Sequence, residues 1–203
     1  MTRHLVIPDT QCKPGESHEH LRWAARYAVA AKPDVIIHLG DHWDMPSLSS
    51  YDVGKKSFEG RRYASDIEAG NKAMTAFMKV IRDEQKRLRK HKKRIWKPRF
   101  VFTLGNHEHR INRAVENDAK LEGLMSYEDL NLKGWEVYPF LQPVIIDGVA
   151  YCHYFTSGVM GRPVSNAKLL LQKKHMSAVM GHVQDRDIAF DRDASGKRMT
   201  ALF

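Results

Sequence analysis

The sequence predicts an α/β protein in which helices cover the outside of two packed sheets. Three observations lead there. Short runs of β-forming apolar residues alternate with helical periodicities in the first half, tight-turn signals take over in the second half, and five apolar runs each close on a polar motif. Crossover helices thus accompany the early strands and hairpins the later ones, a pattern that two sheets with outer helices satisfy.

Taken in order, residues 4–8 read as a short buried strand. Leu21, Ala24, Ala25, Ala28 and Val29 then recur at helical spacing until Pro33 stops them. Residues 35–39 form the second strand. A long helical stretch over about 61–90 follows, with Ile67, Ala73, Met74, Phe77, Met78 and Ile81 as its apolar stripe. Residues 100–104 are the third strand. A partly exposed helix is expected after His107, running toward Met125, with a helical turn over 126–132. Residues 144–147 and 149–155 flank Gly148 as a hairpin, and a helix over 167–174 leads into a strand at 178–180. The last segment reads as strand, turn at Asp193-Ala194-Ser195-Gly196, and strand ending on Leu202 and Phe203, an apolar finish that suggests a truncated C-terminus. With 203 residues, 42% of them hydrophobic, and no repeat or linker, a single domain over 1–203 is expected.

The 33 Lys and Arg outnumber the 24 Asp and Glu for a formal charge of +9, which favours anionic partners such as nucleic acid, nucleotides or phosphorylated substrates. Cys12 and Cys152 have no motif spacing and read as free thiols in a reducing compartment. There is no signal-peptide core near the N-terminus and no apolar run near the ~20 residues that span a bilayer. The expectation is a soluble, cytoplasmic protein with no membrane partner.

The chemistry sits where the strands end: Asp9-Thr10-Gln11, Gly40-Asp41-His42-Trp43-Asp44, Gly105-Asn106-His107-Glu108, His153, and Gly181-His182-Val183-Gln184. A carboxylate between two cations neutralises charge that would otherwise drive them apart, and Asp41 is the natural bridge. Asp9 adds a carboxylate to one ion. Asn106 offers a carbonyl oxygen to the other, which His153 and His182 complete. Two ions ~3.5–4 Å apart can activate water and clamp phosphate oxygens during in-line attack. The departing alkoxide needs a proton, which His107 is placed to give, with Asp44 holding its imidazole protonated and turned.

These residues resemble the calcineurin-like metallophosphoesterase superfamily, whose pattern of D-x-H, GDxxD, GNH[DE], a lone His and GHxH is matched in order over nearly the whole chain. The resemblance implies a four-layer αββα sandwich of two mixed β-sheets flanked by helices. It implies a first metal on Asp9, Gln11, Asp41 and Gln184, a second on Asp41, Asn106, His153 and His182, His107 as general acid and Asp44 as its partner. It also implies hydrolysis of phosphate esters by metal-held hydroxide, and the small chain is similar to phage-encoded phosphoesterases that act on DNA or nucleotides.

Three departures matter. Gln11 and Gln184 stand where the family places histidines, which makes the first site all oxygen. It should prefer Mn²⁺ or Mg²⁺ and lose metal readily, while the histidine site could hold Mn²⁺, Fe²⁺, Ni²⁺ or Zn²⁺, with Mn²⁺ the expected ion. Met45-Pro46 replaces the Arg that follows GDxxD in phosphoprotein phosphatases, so phosphate must be gripped otherwise, and Arg110, Arg113 or Arg162 could do so by a bidentate fork.

Blander readings stand beside these. His153 alone would be a satisfied core histidine, with His38, His42 and His109 as competing ligands; His42 falls inside the second motif and is expected to line the pocket on the substrate side, as is Arg110. Alternation turns His38 and Cys152 away from the site. The basic run over 82–99, with Trp96 in it, is either a nucleic-acid contact or a solvated helix end whose tryptophan anchors the loop. Asp44, where double-strand-break nucleases of the family carry His, favours phosphatase chemistry, so monoester and diester substrates both remain open. Some relatives keep the fold as a binding scaffold, and the two glutamines leave that third reading open.

Overall fold

The computed structural model describes residues 2–203. The first sheet is built by β1 (His4–Ile7), β2 (Val35–His38), β3 (Arg99–Thr103) and β4 (Glu136–Tyr138), side by side in that order and all parallel. Parallel neighbours need crossovers, supplied by α1 (Glu19–Ala31), α2 (Tyr63–Lys90) and α3 (His109–Asn117). The second sheet is mixed. It comprises β5 (Val144–Ile146), β6 (Val149–Cys152), β9 (Ser177–Met180), β10 (Ile188–Arg192) and β11 (Arg198–Leu202) in the order β10-β11-β9-β6-β5, while β7 (Thr156–Ser157) and β8 (Arg162–Pro163) pair apart from it. α4 (Ala167–Lys174) connects β8 to β9.

Three apolar clusters define four layers. Leu21, Ala25 and Ala28 of α1 and Ala73, Met74, Phe77 and Ile81 of α2 pack on Ile7, Ile36 and Phe102 of the first sheet. The opposite face of that sheet, through Val35, Ile37 and Val101, meets Val144, Ile146 and Tyr151 of the second. The far face of the second sheet, through Cys152, Ala178, Met180 and Ala201, meets Leu170 and Leu171 of α4. The fold is therefore the αββα sandwich. β2 is buried along its whole length because both its faces are covered, as parallel strands between layers must be.

Most elements match the periodicities, α4 to the residue. The helix expected to run toward Met125 instead ends at Asn117. Asp118 is extended there, and its side chain accepts from the Lys120 N–H to start a separate short turn at Ala119–Leu121. The short edge strand β4 had no run of apolar residues to announce it. Both cysteines are buried and free. Among the described residues no helix is long and apolar enough to cross a membrane.

Candidate metal and catalytic site

β1, β2 and β3 are parallel, and so are β6 and β9, so five strand ends can share one rim. The two loops after β1 and β2 continue the ladder: Gln11 N–H donates to the Asp41 carbonyl at 2.8 Å, Cys12 N–H to that of His42 at 2.7 Å, and Asp44 N–H to that of Cys12 at 3.0 Å. Gly40, at φ 88°, comes so close to the backbone of Gly105 that any Cβ would collide with it, which clamps the second motif to the third.

Glu108, to which the motif spacing assigns no role, completes that clamp. Its buried carboxylate accepts four backbone N–H groups, from Asp41 at 2.9 Å, His42 at 2.7 Å, Trp43 at 3.0 Å and Gly105 at 2.8 Å. Burial and the charge of Asp41 nonetheless hold its pKa at about 7. The signal was present as the acidic fourth position of Gly-Asn-His-Glu, but nothing in spacing says that this carboxylate faces backbone.

The clamp fixes the acidic centre. His107 N–H donates to Asp41 Oδ1 at 2.9 Å, leaving Oδ2 3.3 Å from His153 Nε2 and 3.7 Å from His107 Nε2. His153 is fully buried, and its Nδ1–H donates to the Leu39 carbonyl at 2.8 Å. The Nε2 lone pair of the neutral ring is thereby turned on Asn106 Oδ1, 2.8 Å away, and on Asp41 Oδ2. Electron-pair donors converging in a buried place require a proton or a cation between them. Without a cation the proton serves: burial opposes the imidazolium, but the hydrogen bond and charge of Asp41 prevail and raise the His153 pKa.

Asp9 makes the same point more sharply. Its Oδ2 accepts the His182 N–H at 2.8 Å, while Oδ1 is buried with no hydrogen-bond partner among the described residues, His153 Nδ1 lying 3.9 Å away. Burial is the main reason its pKa rises to about 6, with His153 opposing and Asp41 adding. Burial and the charge of His153 instead lower the His182 pKa, which keeps that imidazole neutral and able to ligate. Donor atoms of Asp41, His153 and His182 lie within 4.8 Å of one another. The residues present therefore fit a divalent cation.

Of the expected ligands, Asp9, Asp41, Asn106, His153 and His182 come together. Gln11 is partly buried beside them, and Gln184 stands exposed in the wall of a shallow cleft that Asp9 also lines. Asp9, Gln11, Asp41 and His182 all have left-handed backbone, at φ 37°, 42°, 50° and 66°. Each costs on the order of 1–3 kcal/mol, and such strain concentrates where loops hold functional groups.

His107 and Asp44 also meet. His107 Nδ1 lies 2.9 Å from Asp44 Oδ1, and its Nε2 accepts from Arg110 Nη2 at 3.0 Å. Burial works against the His107 imidazolium, yet Asp44 and Asp41 outweigh it and raise its pKa. Arg110 also holds the Asp44 carbonyl at 2.9 Å, and with Lys13, Asp44, Arg61 and Asp66 it lines a cleft of about 580 Å³ beside His107. Arg113 and Arg162 are exposed and line no part of it.

His42 corrects an expectation. It does not line the pocket: it is fully buried, with Nδ1 2.7 Å from Thr10 Oγ1 and Nε2 3.0 Å from the Gly70 carbonyl, and burial lowers its pKa to about 4. It is a neutral core histidine joining the first two motif regions to α2. The other competitors are accounted for as well. His38 stacks on Phe102 in the helix-facing core, and His109 bonds the Tyr127 hydroxyl at 3.0 Å.

No protein-family model and no curated protein matches the chain.

Proposed function

We propose that the chain is a metal-dependent phosphoric ester hydrolase of the calcineurin-like kind, holding two divalent cations on Asp9, Asp41, Asn106, His153 and His182, with Gln11 and Gln184 as weaker oxygen donors. One observation carries the reading: buried lone pairs converge around Asp41 beside an imidazole oriented by a carboxylate. When bound, the cations would supply Lewis acidity to phosphoryl oxygens and acidify water.

The chain's own residues would do the rest. Asp41 is held by the His107 N–H so that its second oxygen points inward. The Asp44 backbone carbonyl accepts from His107 Nδ1–H at 2.8 Å with the Asp44 carboxylate 2.9 Å from the same nitrogen, which leaves Nε2 as the atom facing the reaction. Arg110 at present occupies that atom. An arriving phosphate would give the guanidinium a better acceptor and free Nε2. The same negative charge would favour the imidazolium, whose Nε2–H then protonates the departing alkoxide. The polar cleft walled by Lys13, Arg61 and Arg110 has room for the leaving group.

The test is hydrolysis of bis-p-nitrophenyl phosphate against p-nitrophenyl phosphate with Mn²⁺, Mg²⁺, Ni²⁺ and Zn²⁺, with Asp41→Asn as control. Turnover that Asp41→Asn abolishes supports the reading, and the preferred compound separates diesterase from monoesterase. No turnover with any of the four metals would sink it and leave the scaffold.

A further inference from the structure

The outward face of α1 is not what a solvated helix surface needs. With Leu21, Ala25 and Ala28 turned into the core, Arg22, Trp23, Arg26 and Tyr27 face water, and the two aromatic rings are each 63% exposed. Residues four apart on a helix sit one above the other, so the rings form a ladder with an arginine ladder beside it. Among the described residues both arginines reach only Glu19, at 3.8 Å, and such exposed pairs hold a side chain weakly.

Both ends of α1 lead somewhere. At its start, His20 Nε2 lies 3.0 Å from the carbonyl of Thr10, the residue between Asp9 and Gln11, so the helix sets out from the rim of the metal site. At its end, Lys32 enters the wall of a cleft of about 680 Å³ with Arg3, Arg94, Lys97 and Trp96, where Asp34 is the acidic lining residue. Trp96 is an anchor, its Nε1–H donating to the Pro33 carbonyl at 2.7 Å, and it holds the basic segment after α2 against the end of α1. Arg99 is taken by Glu136, Lys32 lies 3.5 Å from Glu84 and Arg3 Nη2 donates to the Lys32 carbonyl at 3.0 Å, so among the described residues Arg94 and Lys97 are the cleft's cations whose side chains hold no partner. Cations and aromatic faces therefore succeed one another over the 13 residues of α1, about 20 Å.

We propose that the α1 face and the cleft at its end form a track for single-stranded nucleic acid, with phosphates on Arg22, Arg26, Arg94 and Lys97 and unpaired bases stacked on Trp23 and Tyr27. As a statement of substrate class this rests on the phosphoesterase reading; as a binding surface it does not. The rings decide for a single strand, because stacking needs base faces that a duplex keeps covered. A lipid surface would need an apolar helix face, and that face of α1 is buried in the core.

The test is fluorescence anisotropy of a labelled mixed-sequence oligodeoxynucleotide, single-stranded or duplex, with the full chain from 50 to 200 mM salt. The single strand is expected to bind more tightly than the duplex, with log affinity falling linearly in log salt. Trp23→Ala and Tyr27→Ala should each weaken it roughly tenfold, Trp23→Phe should keep most of it, and Arg94→Glu with Lys97→Glu should flatten the salt slope. All four variants should melt and hydrolyse bis-p-nitrophenyl phosphate as wild type does. Affinity indifferent to Trp23 and Tyr27, or equal for duplex and single strand, overturns the track, as does a self-association that Trp23→Ala abolishes. Small-diester turnover without strand binding also removes the track while keeping the phosphoesterase. Strand binding without any turnover keeps the track and removes the phosphoesterase.

Discussion

Asp9 has most to gain from a cation. Its backbone is left-handed, one carboxylate oxygen is buried without a hydrogen-bond partner among the described residues, and burial brings its pKa to about 6. The folded state thus binds this proton more tightly than the unfolded chain. Between about pH 4 and 6 the group's contribution to stability falls as pH rises, and above 6 the charged form is a standing cost. Without metal, Asp9→Asn is expected to melt above wild type at pH 7, by a margin that shrinks as pH falls toward 4, and to lose the stabilisation by Mn²⁺. A metal-free Asp9→Asn that melts below wild type at pH 7 would contradict this. On the proposed mechanism His107 would separate chemistry from metal holding. His107→Ala should lower kcat by about 10²–10⁴ with metal content unchanged. Asp44→Asn removes the charge that supports the imidazolium, so the alkaline limb of kcat against pH should move to lower pH; a limb that stays put removes Asp44 from the proton transfer.

At the scale of elements, the site depends on loops clamped to one another rather than on any one loop's own conformation. Glu108→Gln tests the clamp. Each carboxylate oxygen serves two of the four buried N–H groups and an amide offers one acceptor oxygen, so two are left unpaired at about 1–3 kcal/mol each. We expect a lower melting temperature and weaker metal binding together; a loss of stability with metal affinity intact would separate the clamp from the site. Gly70 makes an equivalent demand on α2. A Cβ there would run into the Trp43 indole, so Gly70→Ala should cost about 1–3 kcal/mol by thermal or denaturant unfolding. The stripe on α2 was legible because one residue in three or four is apolar and buried. The contact of Gly70 with Trp43 was not, because a glycine in a helix looks the same in sequence whether its missing side chain makes room for a neighbour or for nothing.

Across the whole molecule, the cation donors come from both sheets: Asp9, Asp41 and Asn106 follow strands of the first, His153 and His182 strands of the second. Metal would tie the sheets at this rim, while His4 of β1 ties them elsewhere through the Tyr151 hydroxyl at 2.7 Å and Asp147 at 2.9 Å. Mn²⁺ at about a hundred times its dissociation constant should add about 2.7 kcal/mol, which at this size is about 5–10 °C in melting temperature, reversible by chelator. On the proposed two-ion reading Gln11 and Gln184 would make one ion more easily lost, so elemental analysis after dialysis should find fewer than two ions per chain. Two tightly held zinc ions would refute the assignment.

The sequence by itself determined the order of the longer strands and helices, though not the short β4, β7 and β8, and the residue types at the motif-bearing strand ends, because both are local: apolar periodicity follows backbone geometry, and a motif is a short string. It named Asp9, Gln11, Asp41, Asn106, His153, His182 and Gln184 as ligands with His107, Asp44, Arg110 and His42 beside them, and of these Gln184 stands exposed in a cleft wall and His42 is sealed in the core. Only tertiary structure decided which of several histidines faces inward, since His42 and His107 each follow a glycine closely yet one is sealed in the core and the other lies at the cleft. Only it revealed Glu108 as the clamp, the unpartnered oxygen of Asp9, and the path along α1 from the rim to a basic cleft. These are relations between distant segments, set by how layers pack, and no window of sequence contains both partners.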